Sequence, residues 1–183
     1  MPLGRRHERR EERREDRRGE GQVHYKMRQR LVSIGDDFWI DTDGGERAYK
    51  VDGKALRLRK TLIFEDAEGH ELAKIQERVA RVKDSMEVED PDGNRLAMVK
   101  KALVSPVRDR WSVQIGDGPD LDVQGNIVDH EYTFTDGRTP VATVSKKWFR
   151  VADTYGVEIA PDQDPVTVLA ATAAIDMMAH ESR

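Results

Sequence analysis

Apolar and polar residues alternate in short runs along most of this chain, and each run ends at an acidic or glycine-bearing turn. That period belongs to half-buried strands. One strand–turn–strand unit recurs. Trp39-Ile40-Asp41 leads through Gly44 to Ala48–Val51, and Ile63–Asp66 leads through Gly69 to Leu72–Ile75. Met86–Asp90 leads through Gly93 to Leu96–Val99, and Tyr132–Gly137 leads to Val141–Val144. Counted back from Ala48, Ala73 and Ala97, a glycine stands four residues earlier and an aspartate (Asp41, Asp66, Asp90) seven earlier. The fourth copy, at Ala142, has a turn one residue shorter. The aspartate opens the turn by accepting from the backbone ahead, and the glycine takes the positive φ of a bulged hairpin. The small alanine suits a narrow place on an inward face.

Other segments extend the pattern. Leu56–Ile63 is apolar on one side and basic on the other. Leu72–Val82 fits either period and is taken as strand because the repeat aligns there. Trp111–Ile115 and Leu121–Val123 flank Gly116–Pro119 as a fifth hairpin, and Thr154–Ile159 is the last strand. About twelve short strands are more than an open sheet carries comfortably, so a mainly β, closed antiparallel barrel is predicted.

Residues 164–181 break the period. Asp164 is a predicted N-cap and Pro165 suits the first helical turn. Val166–Ala179 is apolar nearly all round, which places a helix in a core or a membrane. At about 1.5 Å per residue it spans roughly 25 Å, short for a bilayer, and Asp176 would be costly near the bilayer centre. Its many alanines make it thin. The axis of the barrel is the expected location, in preference to a membrane anchor or an oligomer helix. Thr172 and His180 lie four residues from Asp176 on either side, so either could hydrogen-bond it.

The chain has 183 residues and no cysteine, which removes disulfides and thiolate chemistry. No apolar leader precedes the first strand, so a secretory signal is not expected. Residues 1–21 form a low-complexity run with eight Arg against six acids, expected to be a disordered tail before a folded domain over 22–183. The remainder holds 23 basic and 29 acidic residues, a balance that argues against a general nucleic-acid binder. Abundant Arg, Asp, Ala and Val with scarce Asn point to a GC-rich bacterial genome.

Catalytic patterns are absent. The five histidines (His7, His24, His70, His130, His180) show no metal-ligand spacing, and His130-Glu131 reads as a strand end. Gly116-Asp117-Gly118 lacks a phosphate-loop frame, and no serine has a nucleophile-elbow context. The turn Asp90-Pro91-Asp92-Gly93-Asn94 lacks the glutamate that a calcium loop needs at its twelfth position, which is Lys101. No metal or cofactor is expected. The best candidate chemistry is basic: Lys54, Arg57, Arg59 and Lys60; Lys100 and Lys101; and Lys146 and Lys147 with Arg150. Brought together, two of these clusters would hold an anionic head group. The plain alternative is a set of solvated strand faces with lysines guarding against edge pairing.

Several strings in their order resemble the LURP-one-related family, in its bacterial form. They are Met27–Leu31, Phe64–Ile75, Gly125–Tyr132, Val144–Trp148, Asp153–Tyr155 through Ile159–Pro161, and the helix near Ile175-Asp176. The resemblance covers roughly residues 23–181. It implies a twelve-stranded barrel around a C-terminal helix, as in tubby C-terminal domains and phospholipid scramblases. It brings no established catalytic residues. Tubby domains bind phosphoinositides through basic residues, but no motif maps those onto this chain. Scramblases carry an acidic calcium segment before their helix, which Tyr155–Ile159 lacks.

The expectation is a non-enzymatic, cytoplasmic or membrane-peripheral barrel that recognises a membrane lipid or a protein partner, with no transmembrane span. Two alternatives stand beside it: a small-molecule enzyme using rim carboxylates, and an assembly protein docking through its charged tail.

Overall fold

The computed structural model describes residues 22–28, 37–53, 61–78, 85–105, 108–116, 118, 120–148 and 154–181. The tail 1–21, the cluster Lys54, Arg57, Arg59 and Lys60, and Arg150 lie outside the described residues, as does the side chain of His180.

Twelve strands close into a barrel, all paired antiparallel. They are β1 (Val23–Arg28), β2 (Phe38–Thr42), β3 (Arg47–Gly53), β4 (Thr61–Asp66), β5 (Glu71–Glu77) and β6 (Ser85–Glu89). β7 (Arg95–Ser105), β8 (Arg108–Ile115), β9 (Asp120–Asn126), β10 (Glu131–Asp136), β11 (Thr139–Ser145) and β12 (Thr154–Ile159) follow. Each pairs with its sequence neighbours, and β1 closes on β12 from Val23↔Ile159 to Arg28↔Thr154. Leu72–Val82 is strand as far as Glu77. One helix, α1 (Pro165–Glu181), fills the barrel and packs against β5, β6, β7 and β12.

The hairpin repeat is real, with one correction. Its register shifts fall at Ile40/Asp41, Phe64/Glu65, Val88/Glu89 and Phe134/Thr135, one in each copy. Just before each shift, Phe64 faces Ala73, Val88 faces Ala97 and Phe134 faces Ala142. In the first copy Ile40 faces Tyr49, not Ala48. That copy is therefore one residue later than the alanine spacing predicts. Its positive-φ glycine is Gly45, matching Gly69 and Gly93. Thr42 does the work assigned to Asp41: its Oγ1 accepts from Glu46 N, as Asp66 accepts from His70 N and Asp90 from Asn94 N. The doublet Gly44-Gly45 offers two registers in sequence, and only strand pairing selects one.

Ala73 and Ala97 are fully buried on β5 and β7, two of the strands that α1 touches. Small side chains there let the helix approach the wall, while Phe64, Phe134 and Tyr155 fill the rest of the interior. On α1 itself, Val168–Ala171 and Ala173–Ile175 are buried on every face, as the all-round apolar pattern requires. Asp164 Oδ2 accepts from Thr167 N at 2.9 Å, so it caps the helix as predicted, and Pro165 opens the first turn. Among the described residues no helix is long and apolar enough to cross a membrane.

Antiparallel order puts every odd-to-even connection at one end of the barrel and every even-to-odd turn at the other. Because α1 follows β12, it enters from the second end, and its last turns lie beneath the first.

Candidate functional site

Charge follows that division. Among the described residues, the odd-to-even connections hold Arg78, Lys146 and Lys147 against Asp37 and Asp129. Among the described residues, the even-to-odd turns hold seven acids, Asp43, Glu46, Glu68, Asp90, Asp92, Asp162 and Asp164, and one base, Arg138. The reason is local. The bulged turns recruit Asp and Gly for their geometry, so the second end becomes acidic as a by-product of turn chemistry.

The predicted basic clusters are not one patch. Lys100 and Lys101 lie within β7, four strands round the wall from β11, about 19 Å at the usual strand spacing. The ladder from Lys100 crosses Ser112, Asp122 and Thr135 to reach Pro140, well short of Lys146 along β11. Each lysine of β7 also has a local partner: Lys100 faces Asp120 at 4.0 Å, and Lys101 lies 5.4 Å from the Trp111 ring centre. Lys146 and Lys147 stand at the basic end, directly after β11.

The Lys146-Lys147 turn is tied to Glu131, which sits opposite Ser145 in the β10–β11 ladder. Four donor contacts converge on its carboxylate. Ser145 Oγ donates at 2.9 and 3.1 Å, Lys146 N at 3.0 Å and Lys147 Nζ at 3.1 Å. Partial burial works to raise the Glu131 pKa, but the Lys147, Ser145 and Lys146 contacts outweigh it and hold the carboxyl below its usual range.

The preceding residue points the other way. His130 closes the turn after β9 with a φ of 52°, the only positive value outside glycine among the described residues. Its amide donates to Ile127 O, and Asn126 braces the turn by bonding Asp129. The ring enters the barrel. There Nε2 lies 3.0 Å from Asp176 Oδ1, and both side chains are 1% exposed. Tyr155 stacks on the imidazole with centroids 4.4 Å apart, and its hydroxyl donates to Asp176 Oδ2 at 2.6 Å. Burial, then the Asp176 charge, pushes the Tyr155 and Tyr132 hydroxyls well above the normal phenol range, so both remain protonated. The Tyr132 hydroxyl has no hydrogen-bond partner among the described residues.

Sequence reasoning missed these partners of Asp176. Thr172 instead donates to Val168 O at 2.9 Å. A carboxylate–imidazole pair of this kind acts as a general base where substrate can reach it. At 1% exposure on both sides, the contacts act as ties between helix and wall.

The chain's likeness to known proteins spans this whole arrangement. A family model described as LURP-one-related matches residues 23–176. The chain belongs to the LURP-one-related family. That match takes in every strand and the Asp176 turn of the helix. The chain is also similar to YxjI of Bacillus subtilis (strain 168), an uncharacterized protein, with 25% identity over 152 residues. The alignment covers 83% of this chain and 91% of YxjI. A solved structure of the Arabidopsis thaliana protein AT5G01750 superposes with a TM-score of 0.62 at 17% identity, covering 88% of this chain and 92% of the plant chain. That likeness establishes the fold: a closed barrel around a C-terminal helix.

Proposed function

We propose that this LURP-one-related barrel is a non-enzymatic binding module, cytoplasmic and peripheral, whose basic end meets an anionic membrane surface. The carrying observation is the contrast of charge between the two ends among the described residues, three bases to two acids on one and seven acids to one base on the other. A body with net negative charge is repelled as a whole by anionic lipid. A polar body is oriented instead, with its acidic end turned to solvent. Each lysine or arginine near such a surface is worth about 1 kcal/mol, falling off within a Debye length.

The test is co-sedimentation of the full chain with phosphatidylcholine vesicles and with vesicles containing phosphatidylglycerol, at low and moderate salt. Salt-sensitive binding to the anionic vesicles alone is expected. Reversing Lys146 and Lys147 to Glu together should weaken it by more than about thirtyfold, since loss of the two positive charges alone removes about 1 kcal/mol each. No binding at low salt, or binding indifferent to that reversal, would refute the reading and turn attention to a protein partner.

A further inference from the structure

Glu131 occupies a set of donors arranged for an anion. We propose that Ser145, Lys146 and Lys147 form a phosphomonoester-binding cradle, and that Glu131 is its built-in occupant, which a ligand must displace. The inference rests on the membrane reading above for its setting, but on its own geometry for its substance.

Three features separate this cradle from a casual surface ion pair. First, the donors differ in kind: a hydroxyl, a backbone amide and an ammonium, all between 2.9 and 3.1 Å from one carboxylate. That mixture suits an oxyanion with several acceptor oxygens. Second, the hydroxyl is pre-aimed. Lys147 N donates to Ser145 Oγ at 3.1 Å, so the serine's own proton is left to point at the carboxylate. Ser145 is 6% exposed, which fixes it at the floor of the site. Third, access is open on the outer side, where the Lys147 side chain is 80% exposed and that of Glu131 27%.

A carboxylate carries one negative charge and two oxygens. A phosphomonoester near neutral pH carries up to two charges and three terminal oxygens, so it can compete for the same donors. Glu131 therefore acts as a threshold. It is outcompeted by a doubly charged phosphate and holds against the singly charged phosphodiester of a common anionic lipid. Such a phosphomonoester comes either from a lipid head group or from a small dissolved phosphate.

Removing the occupant separates the sources. Glu131→Ala and the milder Glu131→Gln would be compared with the unaltered chain in three arms. The arms are phosphatidylcholine vesicles containing phosphatidic acid, the same vesicles containing phosphatidylglycerol, and inorganic phosphate followed by the amide resonances of residues 145–147. Either variant should bind at least one phosphomonoester probe about tenfold more tightly, and adding Ser145→Ala should cancel the gain. A gain on phosphatidic acid above that on phosphatidylglycerol supports the cradle and assigns a lipid source. A gain with inorganic phosphate alone supports it and assigns a dissolved one. If both variants stay folded and neither gains in any arm, or phosphatidylglycerol gains equally, the cradle is overturned and Glu131 is only a strand tie. Failure of the membrane reading looks different, because it is read from the unaltered chain on phosphatidylglycerol, whatever Glu131 does.

Discussion

His130 and Glu131 are neighbours in sequence, and each stands at the edge of a carboxylate-centred site on opposite sides of the barrel wall. Inside, Asp176 is held by the His130 ring and the Tyr155 hydroxyl, at 1% exposure. Outside, Glu131 is held by the Ser145 hydroxyl and the Lys147 ammonium, with its side chain 27% exposed. The parts are alike: a carboxylate, a hydroxyl and a basic nitrogen. The difference is water. Inside, the contacts replace solvation that burial has removed, so deleting one partner strands the others. Outside, water can stand in for any member, so the same parts add little stability and remain free to exchange with a ligand. The inner site holds the helix to the wall, and the outer one carries the proposed cradle.

Asp176→Ala should show the largest effect. It removes the acceptor of the Tyr155 hydroxyl and the carboxylate beside the His130 ring from the packed interior, at a cost of about 3–5 kcal/mol. Denaturant melts check it. Asp176→Asn, which keeps an acceptor for Tyr155, should recover part of the loss. A full-strength alanine variant would mean that Asp176 is incidental to the fold.

Gly125→Ala perturbs both sites through the backbone they share. Gly125 faces Tyr132 across the β9–β10 ladder with a φ of 130°. A Cβ there would meet Glu131 O at 2.3 Å and Tyr132 Cα at 2.7 Å. Strain and displacement together should cost about 2 kcal/mol. Amide shifts should appear on both sides of the wall, at 145–147 and in the last turns of α1. Shifts on one side only would show that the two sites are not coupled through β10.

How much of this was legible depends on whether a contact is local. The hairpins were readable because an Asp-to-Gly turn is written within a few residues, and the helix because its apolar run is continuous. The first copy slipped by one residue where Gly44 and Gly45 compete. The partners of Asp176 were sought at helical spacing, in Thr172 and His180, but Tyr155 and His130 reach it from β12 and from the turn before β10. No spacing rule finds such partners, because they meet only when the barrel closes. The lysine pairs followed matching strands, yet sequence does not say that β7 and β11 stand four strands apart. The Glu131–Ser145 contact did leave a signal. Counted outward from the Asp136-Gly137 turn with one bulged residue, the two face each other across the hairpin.

Glu131→Gln should have the smallest effect on stability, and its pH dependence distinguishes the outer site from the inner one. The folded protein holds the Glu131 carboxyl below the ordinary glutamate value of about 4.3. A depressed pKa means that the unfolded chain binds the proton more readily than the folded one. The stabilisation is therefore complete above the unfolded value and is lost as pH falls through the lower folded value. At neutral pH the glutamine variant should melt a few degrees lower, corresponding to about 1 kcal/mol for a partly exposed ion pair with its hydrogen bonds. As pH falls through the lowered folded value the two melting curves should converge, since only then is the wild-type carboxyl protonated in the folded protein as well. Thermal melts across that range in low salt would decide it. A gap that stayed constant into acid would assign the loss to packing rather than charge, and would remove the electrostatic half of the contrast between Glu131 and Asp176.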